Sequence, residues 1–71
     1  MVEMNYVQSR NVESVGYDSE SMELHIRFLN SAITYVYHNV PQQVFDEMMA
    51  APSKGTYLSQ CVKNVYPFEK R

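Results

Sequence analysis

Strict alternation of apolar and polar residues over positions 22–28 constrains the fold of this chain more than any other feature of its sequence. A period of two over seven positions is typical of a β-strand with one buried face. The next run, residues 33–38, is β-branched and aromatic, which also favours a strand. Asn30 and Ser31 lie between the two runs and predict a hairpin with a two-residue loop.

That loop fixes a register for the hairpin. Six apolar or aromatic side chains then share one face in three cross-strand pairs: Leu24 with Tyr37, Ile26 with Tyr35, and Phe28 with Ile33. The opposite face holds the mostly polar set of Glu23, His25, Arg27, Thr34, Val36 and His38. A slip of one residue would mix the two sets, so the pattern supports this register.

A third strand is predicted over residues 11–18, where Gly16 marks a bulge or a close backbone approach. We expect the ends of the chain, including residues 69–71, to be frayed. One domain is predicted over residues 1–71, with its core at about 7–67.

The apolar period changes to that of a helix at Val40. Pro41 suits the first position of a helix, and Pro52 stops that helix. Ser53 suits the N-cap of a second helix that ends before Pro67. The predicted fold class is α+β, a three-stranded antiparallel sheet with two helices packed on one face in the order β-β-β-α-α.

Composition restricts the classes of function. The formal net charge of −2 excludes a strongly basic nucleic-acid clamp. The single cysteine, Cys61, excludes an internal disulfide, and its place on an apolar helical stripe predicts a buried, inert thiol. The first residues lack a basic and an apolar signal region, which predicts a cytoplasmic protein. A chain of 71 residues buries a small core, so self-association stays open.

Five segments of the chain, in order, resemble the KTSC domain family. They are residues 9–18, 24–28, 35–37, 40–41 and 51–57, the last with the pattern Ala-x-Ser-x-Gly-x-Tyr. The family is named for the C-terminal domain of some lysyl-tRNA synthetases and also occurs as small bacterial or phage-borne proteins. This context implies RNA binding as an expectation. Arg10 stands where the family often has serine, and Val36 stands where it often has a polar residue.

The start of the second helix is the strongest candidate site. Unpaired backbone N–H groups and the helix dipole favour an anion there, Lys54 adds positive charge, and Gly55 permits close approach. Tyr57 lies one turn along and would border the same site. The alternative is an ordinary helix start, capped by Ser53, in which Gly55 makes room for a neighbouring element.

Three further residues complete the predicted binding set. Arg10, in the opening strand, would contact phosphate, and Tyr35 or Tyr37 would stack on a base. For the two tyrosines, a position in the core with the hydroxyl at its edge is the alternative.

The sequence offers little for catalysis. The register places Glu23 opposite His38, either as a base with its orienting carboxylate or as a solvated cross-strand pair. No motif places a nucleophile, a phosphate loop or a metal-ligand set. We therefore expect a non-enzyme without a cofactor or metal. The leading hypothesis is a binding module for RNA or a small nucleotide, and the competing one is a module for protein–protein interaction or self-association.

Overall fold

The computed structural model describes residues 2–71. Five strands and two helices follow one another along these residues: β1 (Asn5–Tyr6), β2 (Val12–Asp18), β3 (Glu23–Phe28), β4 (Thr34–Tyr37), α1 (Gln42–Ala50), α2 (Lys54–Cys61) and β5 (Phe68–Lys70). The strands form one antiparallel sheet in the order β1-β2-β3-β4-β5. The predicted α+β class is confirmed, but the expectation of three strands is wrong because a short strand is added at each edge.

The central hairpin has the predicted register. Leu24 pairs with Tyr37 and Ile26 with Tyr35. The prediction of a two-residue loop is wrong, because the pairing of β3 with β4 ends at Arg27 and Thr34. In the longer loop Asn30 has a positive φ of 61°. The Ile33 N–H donates to the Ser31 hydroxyl at 3.2 Å, so a local side-chain bond replaces a ladder bond.

The core lies between the apolar face of the sheet and the two helices. The sheet and its connections supply six of its buried side chains: Val12, Val15, Leu24, Ile26, Tyr37 and Val40. The helical region supplies three: Met48, Leu58 and Val62. Tyr17 of β2 also stacks on Phe45 of α1, with ring centroids 5.4 Å apart. Both helices are thereby fixed to the predicted face of the hairpin.

The opposite face of the sheet is partly covered, which the alternation of residues did not predict. Val36 is completely buried on it. In the same cross-strand row, a Cβ on Gly16 would lie 2.6 Å from Val2, 2.7 Å from Met4 and 2.8 Å from the carbonyl oxygen of Glu3. Gly16 is therefore a close backbone approach of the N-terminal segment. The register shift in β2 lies between Val12 and Ser14 instead.

The ends of the helices differ in detail from the prediction. Pro41 is the N-cap of α1 rather than its first residue. The second helix ends at Cys61, well before Pro67. Cys61 is exposed, so the expectation of a buried thiol is wrong. Because α2 is only eight residues long, the apolar stripe buries Leu58 and Val62 and leaves Val65 62% exposed.

Candidate functional site

A cleft opens between the loop before β2 and the start of α2. Its volume is about 570 Å³. Two short segments line it, residues 8–11 and 52–56, together with Ser59 and Gln60 from the next turn of α2. Apart from Pro52 and Gly55, every residue of this lining has a side chain with a hydrogen-bonding group, and none of these groups is a carboxylate. The cleft is therefore suited to a polar ligand of negative charge.

Ser53 sets the start of α2 and hence the direction of its first N–H groups. Its backbone is extended, and its hydroxyl oxygen accepts a hydrogen bond from the Thr56 N–H at 3.4 Å. The N–H groups of Lys54 and Gly55 belong to the first turn and have no partner within the helix. They lie at the positive end of the helix dipole, on the wall of the cleft.

Gly55 allows α2 to approach the loop before β2. A Cβ at this position would lie 2.6 Å from Oδ1 of Asn11. The loop has its own internal bonds, because the Ser9 hydroxyl donates to Asn11 Oδ1 at 3.3 Å and accepts from the Val12 N–H at 3.3 Å. The packing role proposed for Gly55 from the sequence is therefore present, and it brings the two walls of the cleft together.

Two cationic side chains line the cleft. The Lys54 ammonium donates to the carbonyl oxygen of Ala51 at 3.0 Å, which holds it at the end of α1. Arg10 is exposed and has no hydrogen bond or ion pair with any residue in 2–71. One cation is thus fixed by the backbone, and the other is available to an incoming anion.

Tyr57 lies on α2 but outside the lining of the cleft. Its hydroxyl donates to Oε1 of Glu47 on α1 at 2.9 Å. Burial, the hydrogen bond and the negative charge of Glu47 raise the pKa of Tyr57 to about 12. The side chain fastens the two helices to each other, and its hydroxyl is already engaged.

Tyr35 and Tyr37 also lie away from the cleft, on the helix-covered face of the sheet. Tyr37 is only 2% exposed and belongs to the core, while Tyr35 is partly buried against it. Their rings contact Phe68, with centroid distances of 5.6 and 5.4 Å. The structure therefore brings together Arg10, Ser53, Lys54 and Gly55 of the predicted set, and it gives the tyrosines positions in or beside the core.

Sequence reasoning did not single out the uncharged polar part of the lining beyond Ser53. It comprises the side chains of Gln8, Ser9, Asn11, Thr56, Ser59 and Gln60. A signal for half of them exists, because residues 56, 59 and 60 have the spacing i, i+3 and i+4 that puts them on one face of a helix. The loop residues carry no such periodic signal.

A second polar cluster spans β3, β4 and the end of the chain on the opposite face of the sheet. Glu23 lies 3.7 Å from His38, which the predicted register placed opposite it, and 3.2 Å from His25 on its own strand. Glu69 lies 3.0 Å from His38 and 2.7 Å from Arg71. These side chains are therefore hydrogen-bonded or ion-paired to one another. Residues 2–71 contain no group of three or more acidic, histidine or cysteine side chains arranged to hold a metal ion.

Comparison with known proteins places this fold in a family. A model of the KTSC domain matches residues 8–66. A protein from Tsukamurella paurometabola is 42% identical over 60 residues, which cover 84% of this chain and 88% of that protein. An uncharacterized protein from Stutzerimonas stutzeri is 35% identical over 57 residues, covering 80% and 79% of the two chains.

The structural comparison agrees with these matches. The crystal structure of a KTSC domain protein from Yersinia pestis superposes with a TM-score of 0.94 at 30% sequence identity. It covers 100% of this chain and 99% of the other. Over residues 2–71, no helix has the length and apolar character needed to cross a membrane.

Proposed function

This chain belongs to the KTSC domain family, and we propose that it is a non-catalytic module that binds RNA or a small nucleotide by a phosphate group. The phosphate would occupy the cleft between residues 8–11 and the start of α2. The observation that carries the proposal is the position of Arg10, an unpaired cation on the wall opposite a helix N-terminus. Guanidinium and backbone N–H groups are the donors that bind phosphate best in proteins.

The size and charge of the cleft favour a small ligand or a strand end. Only two cations line it, and the whole chain has six lysine and arginine residues. An extended duplex site needs a row of phosphate contacts, which this lining does not supply. One or two phosphates fit the two cations and the two free N–H groups of the first turn of α2.

The part of the ligand beyond the phosphate would meet amides and hydroxyls. Gln8, Ser59 and Gln60 offer donors and acceptors of the kind that bind ribose hydroxyls or base edges. No aromatic side chain lines the cleft. We therefore expect the sugar and phosphate to supply most of the binding free energy and base stacking to supply little, unlike the tyrosine platform expected from the sequence.

Backbone amide NMR titration with adenosine monophosphate and with inorganic phosphate tests this function. We expect the largest shift changes in residues 8–11 and 53–56 with both compounds. Arg10→Gln should weaken binding about tenfold or more, since a hydrogen bond to a charged group contributes about 1.5–3 kcal/mol. Lys63→Gln is the matched control, because it removes the same charge from an exposed residue outside the cleft.

Two outcomes would refute the proposal. One is saturable binding with shifts confined to the histidine and glutamate cluster around Glu23. The other is equal weakening by Arg10→Gln and Lys63→Gln, which would mean that only the net charge of the protein matters.

A further inference from the structure

The outer edge of β5 has backbone groups that no described residue uses. The N–H and C=O of Arg71 bond to Thr34, and the His38 N–H donates to the carbonyl oxygen of Pro67. In an antiparallel ladder the bonding direction alternates, so residues 67, 69 and 71 point toward β4. Phe68 and Lys70 therefore present their N–H and C=O groups outward, at the edge of the sheet.

We propose that this edge pairs with β5 of a second copy of the chain, forming a dimer with a continuous ten-stranded sheet. A two-fold axis beside Glu69 places Phe68 opposite the second copy's Lys70, and Lys70 opposite the second copy's Phe68. This register uses all four outward backbone groups of each copy in four hydrogen bonds. A two-fold axis at Phe68 or at Lys70 would instead place that residue opposite itself, so only one outward-facing residue of each copy would be paired. An axis at Lys70 would also place two lysines opposite each other.

The side chains on the helix-covered face are complementary in this register. Phe68 is 47% exposed although its ring contacts two tyrosines. Lys70 already lies over the Tyr35 ring, with its nitrogen 5.7 Å from the ring centroid. Pairing would place each Lys70 between its own Tyr35 and the second copy's Phe68. A cation between two aromatic rings is stabilised by both, and the exposed Phe68 ring is buried.

The side chains on the opposite face are compatible with the same axis. Glu69 would lie opposite the second copy's Glu69, and like charges in this position destabilise a pair. Each Glu69 is already bonded to Arg71 at 2.7 Å and to His38 at 3.0 Å. The Arg71 guanidinium, which also lies 3.7 Å from Glu23, therefore offsets part of the repulsion between the two Glu69 carboxylates at the axis.

Sedimentation velocity and light scattering over a series of protein concentrations, up to about millimolar, test the dimer. We expect the wild-type protein to shift from monomer to dimer with concentration. Phe68→Lys should raise the dissociation constant about tenfold or more, because it opposes two lysines at each of two symmetric positions. Val65→Lys adds the same charge to an exposed residue outside β5 and should leave the dimer unchanged.

A double variant with exchanged charges distinguishes a loss of strand pairing from a loss of folding. In Phe68→Lys combined with Lys70→Glu, the new lysine at position 68 faces the new glutamate at position 70 of the second copy. This double variant lacks the same aromatic ring as Phe68→Lys, yet it should regain dimerisation. A wild-type protein that stays monomeric throughout, a dimer that tolerates Phe68→Lys, or a double variant no better than Phe68→Lys would each overturn the proposal. Growth beyond a dimer would also overturn it, since a two-fold interface closes on itself.

Discussion

The close contact between Gly55 and Asn11 makes a quantitative prediction about how the cleft is held together. Replacing Gly55 by alanine stabilises a helix by about 0.5–1 kcal/mol, because alanine loses less conformational entropy. The new Cβ would lie 2.6 Å from Asn11 Oδ1, so the amide must rotate away. Rotation breaks the bond from the Ser9 hydroxyl, which contributes about 0.5–1.5 kcal/mol. The two effects nearly cancel.

We therefore expect Gly55→Ala to change the free energy of unfolding by less than about 0.5 kcal/mol, in spite of the tight contact. In an Asn11→Ala background the obstructing amide is gone, and the same substitution should stabilise the protein by about 0.5–1 kcal/mol. The assay is urea denaturation of the wild type, both single variants and the double variant, combined as a double-mutant cycle.

The cycle has a clear opposite result. If Gly55→Ala has the same effect with and without Asn11→Ala, the side chain of Asn11 does not set the approach of α2. A loss above about 2 kcal/mol in both backgrounds would mean that the backbone, not the amide, is in the way. A stable Gly55→Ala protein is also useful for binding experiments. Its Asn11 amide is displaced while the fold is intact, so a change in ligand binding then reports access to the cleft and not a loss of packing.

Three further predictions concern other parts of the molecule. Gly16→Ala should destabilise the fold by about 1–3 kcal/mol in urea denaturation, because a backbone oxygen 2.8 Å from the new Cβ must move; an unchanged midpoint would contradict this. Burial and Glu47 raise the pKa of Tyr57 to about 12. The contribution of this shift to the free energy of unfolding is fully present below the ordinary pKa of 10.0 and should be lost as the pH rises from 10.0 to about 12. Glu47→Gln should lower that pKa in a ring-carbon NMR titration, and no change would refute the pairing. The hydrogen bond from Arg71 lowers the pKa of Glu69 below 4.5. The contribution of this shift to the free energy of unfolding should be present above pH 4.5 and disappear as the pH falls through the lowered pKa. Arg71→Gln should raise this pKa in a carboxyl-carbon titration, and an unaltered value would exclude the bond.

The sequence could predict those features that depend on local periodicity. The hairpin register follows from the period of two, since a slip of one residue would place Ile26 and Tyr35 on the wrong face. The Ser53 cap follows from its side-chain chemistry and the proline before it. The wall of the cleft that α2 forms could be predicted as well, because the first turn of any helix has N–H groups without partners in that helix.

Features that depend on contacts between distant segments were not predictable in this way. Phe68–Lys70 is too short to show a period, and it becomes a strand only because β4 lies beside it. Val36 is an apolar residue on a face that the alternation predicts to be polar, and its complete burial depends on tertiary contacts that the sequence pattern does not show. Cys61 is exposed at the last residue of α2 although Leu58 and Val62 of the same predicted stripe are buried, and apolar spacing alone did not distinguish them.

The order of strands in the sheet also determines the order in which it can assemble. Strands β1 to β4 are neighbours in sequence and in space, so each forms by closing a short loop. The fifth strand must return to β4 across the whole helical segment, residues 38–67, and closing that loop costs more entropy. We expect β5 to dock last during folding and to detach first in native-state hydrogen exchange, with the amide of Arg71 exchanging faster than those of β3. The three residues that complete the sheet would then be the last part of it to form and the first part to be lost.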